Sequence, residues 1–311
     1  MTSPELVTIP DSFNYIGIFL TFRCPYRCSY CINQYGNGVH LDYPEIPGTD
    51  WVNFFRRLPA NDIPITLQGG EPGLHPDFFS ILHDTLEFHP VDILTNLAFD
   101  LDRFIAEIDP ARINRPAPYA PIRVSFHPEQ FSLPFITEKI LLLMNAGFRV
   151  GLYGVTHPNQ TDLMEEAAST CRNLGIDFRL KPFLGTHQGK LHGQYTHPDA
   201  CDGKSPRTCD CATSELLAAP DGTIHRCHTF CYRHLQPVAT IYDAQLTLTD
   251  DFTPCNLFGQ CNPCDIKVKN NRFQQFGHVA TRIRNIRSKV CDMMAPGGAE
   301  DNSPGSATPG S

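Results

Sequence analysis

Cys24-Pro25-Tyr26-Arg27-Cys28-Ser29-Tyr30-Cys31 sets three thiols in a C-x3-C-x2-C spacing directly after an apolar run. Iron–sulfur clusters are held by cysteine thiolates, usually four. Three ligands leave one iron without a protein ligand, open to a small molecule. A structural zinc ion wants a fourth nearby ligand and is usually met as two paired C-x2-C knuckles. The triplet by itself admits both readings. A second concentration of thiols lies downstream, where Cys201, Cys209, Cys211, Cys227, Cys231, Cys255, Cys261 and Cys264 crowd into one region. The chain has 13 cysteines and no visible export signal, which points away from disulfides and toward metal. Cys171 and Cys291 stand alone and read as buried or incidental thiols.

The elements that must position these residues alternate. Short β-branched or aromatic runs at Tyr15–Leu20, Ile63–Gln68, Val91–Thr95, Ile122–Phe126, Phe148–Val155 and Ile176–Pro182 predict strands. Helices are predicted near Asp50–Leu58, Asp77–Phe88, Asp100–Ile108, Thr137–Ala146 and Gln160–Leu174. Gly147 and Gly175 follow two of them as left-handed caps, and Asp100 and Thr161 are placed to start helices. Six β-then-α units in order imply a parallel sheet with right-handed crossovers, closed or open, with ligands at the carboxyl ends of its strands. Cys24, Gln68-Gly69-Gly70-Glu71-Pro72, Thr95-Asn96 and Ser125-Phe126-His127 all fall at such ends. Four unrelated polar clusters on one rim are hard to produce by loop composition alone.

Residues 186–208 are rich in Gly, His and Pro without a clear period and read as a connecting loop. A cysteine-rich module follows at 209–269. Within it, the run from Glu215 through Asp221-Gly222 to Ile224 predicts a hairpin. Phe273, Phe276, Val279, Ile283 and Ile286 form a helical stripe, so 270–295 is expected to be a C-terminal helix, and 296–311 a disordered tail. Residues 1–12 are a lead-in.

Apolar residues make up 41% and charged residues 19% of 311, enough for a sizeable core. A net charge of −8 argues against a nucleic-acid partner held through its phosphates. The N-terminus lacks a secretory pattern, and no apolar run approaches the roughly 18 residues of a membrane span. The expected location is cytoplasmic, with no membrane partner.

These residues resemble the radical S-adenosylmethionine enzymes. Cys24-x3-Cys28-x2-Cys31, with aromatic Tyr30 before the last cysteine, is similar to their cluster motif, and Gly69-Gly70-Glu71-Pro72 is similar to the segment closing their second strand. The resemblance covers about residues 13–185. It implies an α/β fold, a partial (β/α)6 TIM-like barrel with a small cysteine-rich C-terminal auxiliary-cluster domain. It also implies a 4Fe–4S cluster on Cys24, Cys28 and Cys31 whose open iron chelates S-adenosyl-L-methionine. Reductive cleavage of that cofactor yields a 5′-deoxyadenosyl radical that abstracts hydrogen from substrate. On this resemblance Gly69 and Gly70 let backbone approach the cofactor, and Glu71 accepts hydrogen bonds from or near its ammonium. Tyr30 packs on adenine, while Asn96 and Ser125 contact the carboxylate or ribose or serve as strand-end turns. His127 and His157 are packing or turn histidines.

The C-terminal module resembles the SPASM or shorter twitch extension of that family. The match runs through Cys211, Gly222 and Cys227, then Cys261-x2-Cys264. It implies one auxiliary 4Fe–4S cluster on Cys211, Cys227, Cys261 and Cys264. The order of Cys255, Cys261 and Cys264 departs from the full SPASM pattern, although the remaining thiols suffice for a second cluster. Two outcomes follow for a small-molecule or peptide substrate. One is oxidation or crosslink formation, with an auxiliary cluster taking up an electron. The other is epimerisation, with an unligated cysteine, Cys231 or Cys255 or else Cys201 or Cys209, returning hydrogen. A reduced flavodoxin or ferredoxin-type protein is the implied electron donor. A non-catalytic iron–sulfur or zinc protein would leave Gly69–Pro72 and the barrel without purpose.

Overall fold

The computed structural model describes residues 5–34, 41–59, 62–203, 207–269 and 277–287. The tail expected at 296–311 and Cys291 lie outside them. Six parallel strands arise where the apolar runs predict them: β1 (Tyr15–Thr21), β2 (Ile65–Gly69), β3 (Val91–Thr95), β4 (Ile122–Ser125), β5 (Val150–Thr156) and β6 (Asp177–Pro182). The crossovers are α1 (Gly48–Phe55), α2 (Phe78–Leu86), the pair α3 (Leu101–Glu107) and α4 (Pro110–Ile113), α5 (Leu133–Asn145) and α6 (Thr161–Leu174). Local signals set their ends. The Asp100 and Ser132 side chains accept from the backbone N–H groups of Arg103 and Phe135, and Gly175 closes α6 at φ +70°.

β1 is buried along its whole length and shows how the layers form. Ile16, Ile18 and Leu20 join the main core with Trp51, Phe54 and Phe55 of α1. Tyr15 and Phe19, alternating with them, pack on the opposite side with Leu217 and Tyr232. A parallel sheet covered on both faces needs such continuous apolar strands.

The sixth unit departs from expectation. β6 is followed by a hairpin, β7 (Gly185–His187) and β8 (Lys190–His192), inside the stretch read as a loop. After β9 (Arg207–Thr213), the expected Asp-Gly hairpin forms from β10 (Glu215–Ala218) and β11 (Thr223–His225), with Gly222 at φ +82°. β10 pairs in parallel with β1. Together with β12 (Ala239–Thr240), it extends the main sheet to nine strands, ordered β12-β11-β10-β1-β2-β3-β4-β5-β6. The cysteine-rich segment therefore shares the barrel's sheet instead of standing apart at residue 209. A second sheet, β13-β9-β14, contains β13 (Thr253–Phe258) and β14 (Thr281–Arg287). The helix expected across 270–295 is thus corrected where it is described. The segment 281–287 is a strand paired with β9, because cross-strand partners for Thr281, Ile283 and the backbone outweigh a helical stripe with no core to meet. α7 (His228–Tyr232) and α8 (Pro263–Ile266) complete the module.

Candidate active site

The chain leaves β1 and turns at once into the three thiols, all half-buried. The turn is locked to the end of β2. Gly70 N–H donates to Thr21 O at 2.8 Å, and Glu71 N–H donates to Arg23 O at 2.8 Å. A Cβ on Gly69 would lie 2.0 Å from Thr21 O, and one on Gly70 would lie 2.3 Å from Arg23 O. In this structure both glycines serve the contact between two loops. Asn33, just past Cys31, donates to Gly69 O at 2.8 Å and accepts from the Tyr232 hydroxyl at 3.0 Å. The thiol loop is thereby tied to both barrel and module.

Glu71 is completely buried and turned inward. Its carboxylate accepts from Thr95 Oγ1 at 2.6 Å, Asn96 N–H at 2.6 Å and Gly73 N–H at 3.2 Å. Sequence reasoning aimed this side chain at a cofactor ammonium; here it welds the ends of β2 and β3. Burial pushes its carboxyl up to about 7, against those hydrogen bonds. The folded protein therefore holds this proton more tightly than the unfolded chain does. The resulting stability is fully present below the unfolded carboxyl range near 4.5 and is lost as pH rises through about 7. Unfolding free energy from urea titrations is expected to fall across that window by roughly 3 kcal/mol. Glu71→Gln should flatten this slope; a wild-type slope already flat would show a carboxyl ionised throughout.

Asn96 donates from Nδ2 to Cys24 Sγ at 3.5 Å. Ser125 ends β4 half-buried on the same rim. Tyr30 lies between His127 and His157, with ring centroids 5.9 and 5.7 Å away, and its hydroxyl is 3.2 Å from His127 Nδ1. Burial drives the His127 imidazole down to about 4, so it is neutral near pH 7.

The donor set at 24, 28 and 31 suits an iron–sulfur cluster. Burial, then the neighbouring Cys31 and Cys24, push the Cys28 thiol up to about 12. Thiols crowded in this way favour their protons until a polynuclear cation compensates the charge.

Downstream, the strand pattern decides which thiols meet. Cys209 and Cys211 are alternate residues of β9 and share a face, and Cys255 of β13 is in register with Cys209. The sulfur atoms of Cys209, Cys211 and Cys255 lie within 4.8 Å of one another. Hydrogen bonds from Cys209 and Cys211 hold the Cys255 thiol well below its ordinary range, near 3. Cys211, Cys227, Cys255 and Cys261 line one cleft. Three of the four expected auxiliary ligands thus gather there, while Cys264 is not among the lining residues; its sulfur faces Lys267 Nζ at 3.9 Å. Cys209, counted from the sequence only among the thiols left for a second cluster, joins this group because C-x-C on a strand puts two thiols on one face. Buried Asp265 braces the module. It accepts from His228 N–H and Nδ1, both at 2.8 Å, and from Thr229 N–H at 3.0 Å and Oγ1 at 2.7 Å.

A cavity of about 620 Å³ opens between the thiol loop and the module, with Cys28, Tyr30 and Cys31 on one wall and Cys201, Arg233 and Cys261 on the other. Arg233 is the one lysine or arginine among the described lining residues, and its Nη1 donates to Gln260 Oε1 at 2.8 Å. Neither Cys231 nor Cys255 lines this cavity. Cys231 is wholly buried, and its carbonyl accepts from the Tyr43 hydroxyl at 2.6 Å. Among the described residues, no helix is long and apolar enough to cross a membrane.

No family model matches the chain. A segment of 162 residues is 32% identical to GTP 3′,8-cyclase of Hydrogenovibrio crunogenus, covering 46% of this chain and 45% of that protein. Among solved structures, Streptococcus suis SuiB bound to the precursor peptide SuiA matches at a TM-score of 0.55 and 13% identity, covering 75% of this chain and 64% of SuiB. SuiB bound to S-adenosylmethionine matches at 0.53 and 12%, covering 73% and 63%. The chain thus spans about half the length of the cyclase and less than two thirds of SuiB, and the structural likeness establishes a shared fold.

Proposed function

We propose that this chain is a radical S-adenosylmethionine enzyme, that it uses its cavity to expose a small-molecule or peptide substrate to hydrogen abstraction, and that oxidation or crosslink formation follows; the cyclase-like segment and the SuiB-like fold support this reading. The observation that carries this reading is the cavity with Cys28 and Cys31 on one wall and Cys201 and Cys261 on the other. Cys24, Cys28 and Cys31 would hold a 4Fe–4S cluster, and thiols drawn from Cys209, Cys211, Cys227, Cys255 and Cys261 an auxiliary one. When bound with S-adenosylmethionine, the first cluster supplies reductive cleavage of the sulfonium to a 5′-deoxyadenosyl radical.

The chain's own residues do the rest. Asn96 donates to a ligand sulfur and Glu71 fixes the loop ends, so the thiols are held in place before anything binds. Tyr30 presents an aromatic face for adenine beside neutral His127. The module closes the side of the barrel next to β1, which limits water at the reacting carbon. Of the thiols that could return hydrogen in an epimerisation, Cys231 and Cys255 lie off the cavity whereas Cys201 lines it, so epimerisation with Cys201 as donor is the second reading. Anaerobic reconstitution with dithionite and S-adenosylmethionine tests the proposal. Formation of 5′-deoxyadenosine is expected, and its absence would favour a non-catalytic iron–sulfur protein.

SuiB is described with a bound precursor peptide, and this chain's cavity is proposed to accept a peptide or a compact metabolite with an anionic group. Arg233, the cavity's described cation, would meet that group with a two-pronged hydrogen bond. Arg233→Gln should raise the substrate KM by roughly tenfold to a hundredfold, about 1.5–3 kcal/mol of charge-assisted binding. The rate of 5′-deoxyadenosine formation measured without substrate should stay the same. An unchanged KM would place the anion elsewhere.

A further inference from the structure

We infer that Glu129 is a positioning residue that clamps the thiol loop and sets a negative charge beside Cys28. Its role toward a cluster rests on the function proposed above; the clamp itself stands on the protein alone. Ser29 lies between Cys28 and Cys31, and one carboxylate takes both of its donors. Ser29 N–H donates to Glu129 Oε2 at 2.8 Å and Ser29 Oγ to Glu129 Oε1 at 2.6 Å. Gln160, at the start of α6, donates from Nε2 to the same Oε1 at 3.1 Å and steers the carboxylate.

The next residue holds the neighbouring peptide from both sides. Arg27 N–H donates to Gln130 Oε1 at 3.2 Å, and Gln130 Nε2 donates to Arg27 O at 3.2 Å. Gln130 mimics a strand neighbour for a segment that belongs to no sheet. Both side chains come from one turn after β4, closed by Gln130 N–H and Phe131 N–H on His127 O at 2.9 and 3.2 Å. Phe131 adds an aromatic contact to Tyr26 at 5.1 Å. The 27–29 segment is therefore fixed by a part of the barrel about 100 residues away, and the charge-assisted pair on Ser29 is its strongest link.

Charge is the second consequence. Both carboxylate oxygens of Glu129 are held on Ser29, the residue that follows Cys28. A carboxylate beside a ligand also disfavours adding an electron to whatever that ligand holds. Glutamine separates the two effects, because its amide oxygen still accepts from Ser29 N–H while the charge is gone.

The test uses the full-length protein as wild type, Glu129→Ala and Glu129→Gln. Amide hydrogen exchange of residues 27–31 is measured on metal-free protein. Iron release to a chelator and the midpoint potential are measured after anaerobic reconstitution with iron and sulfide. The potential is read from the EPR signal that changes when S-adenosylmethionine is added. Glu129→Ala is expected to speed both exchange and iron release about tenfold, the loss of two hydrogen bonds to a charged group. Glu129→Gln, which keeps an acceptor for Ser29 N–H but loses the charge, should fall between wild type and Glu129→Ala on both counts, with a more positive potential. Wild-type exchange in Glu129→Ala would overturn the clamp, and an unchanged potential in Glu129→Gln would overturn the role of the charge. If the wild-type protein took up no iron, the proposed function would fail while the exchange comparison still decided the clamp.

Discussion

Replacing Cys24, Cys28 and Cys31 together by alanine is expected to reduce 5′-deoxyadenosine formation to the buffer background while leaving a folded protein. The structure separates these outcomes. All three thiols are half-buried on a loop beyond the end of β1, and none belongs to the apolar clusters that hold the sheet and helices together. The hydrogen bond lost from Asn96 to Cys24 is a weak one to sulfur. The cost in unfolding free energy should therefore stay within about 1–2 kcal/mol, the range of substitutions outside a packed core. Iron in the reconstituted variant should fall to the share bound by the downstream thiols. Turnover surviving in this variant would remove the premise of the proposed reaction. Loss of cooperative unfolding would show that the loop carries more of the fold than its packing implies.

A comparably large effect is expected at the glycine pair, by a different route. Gly69→Ala would place a methyl 2.0 Å from Thr21 O, on a residue whose φ is +149°. Gly70→Ala would place one 2.3 Å from Arg23 O and 2.4 Å from Phe22 O. The obstruction in both cases is backbone, which cannot swing aside as a side chain does. Relief requires parting the turn from β2, which breaks Gly70 N–H to Thr21 O and Glu71 N–H to Arg23 O. Two lost bonds plus the strain amount to about 4 kcal/mol or more for either variant, at the far end of single-substitution effects. Thermal unfolding of the metal-free protein would measure it, and the variants are expected to release iron from the first site fastest. A Tm within a degree or two of wild type would mean that the loops are not held together as described.

Much of the barrel was legible because its signals are local. Val91–Thr95 is a strand of five largely apolar residues between turn formers, and the structure returns the same bounds. Gly175 caps α6 at positive φ as its position after Leu174 implies. The Asp221-Gly222 turn closes its hairpin because a three-residue loop, Pro220–Gly222, needs a left-handed last residue, and Gly222 supplies it at φ +82°. The stripe from Phe273 to Ile286 misled. Arginines and isoleucines fit either period over so short a stretch, and only a waiting partner strand, β9, resolved the choice at 281–287.

Glu71 and the glycine pair show the same division within the site. Their place at the end of β2 could be read from the order of residues, whereas their roles could not. A carboxylate at a rim has the same letters whether it faces a ligand or the protein interior. In this structure the carboxylate turns inward, to Thr95 and the Asn96 backbone.

The order of residues by itself determined a parallel α/β sheet, a C-x3-C-x2-C loop after its first strand, a Gly-Gly-Glu-Pro turn after its second and a thiol-rich C-terminal region. Each of these is encoded in side-chain periodicity or spacing within a few residues. Only the tertiary structure decided that β10 docks on β1, that Cys209 and Cys211 meet Cys255, and that Glu129 reaches back to Ser29. These contacts join residues tens to hundreds of positions apart. Their partners are chosen by packing and by the closing of buried hydrogen bonds, and neither leaves a pattern in the neighbouring residues.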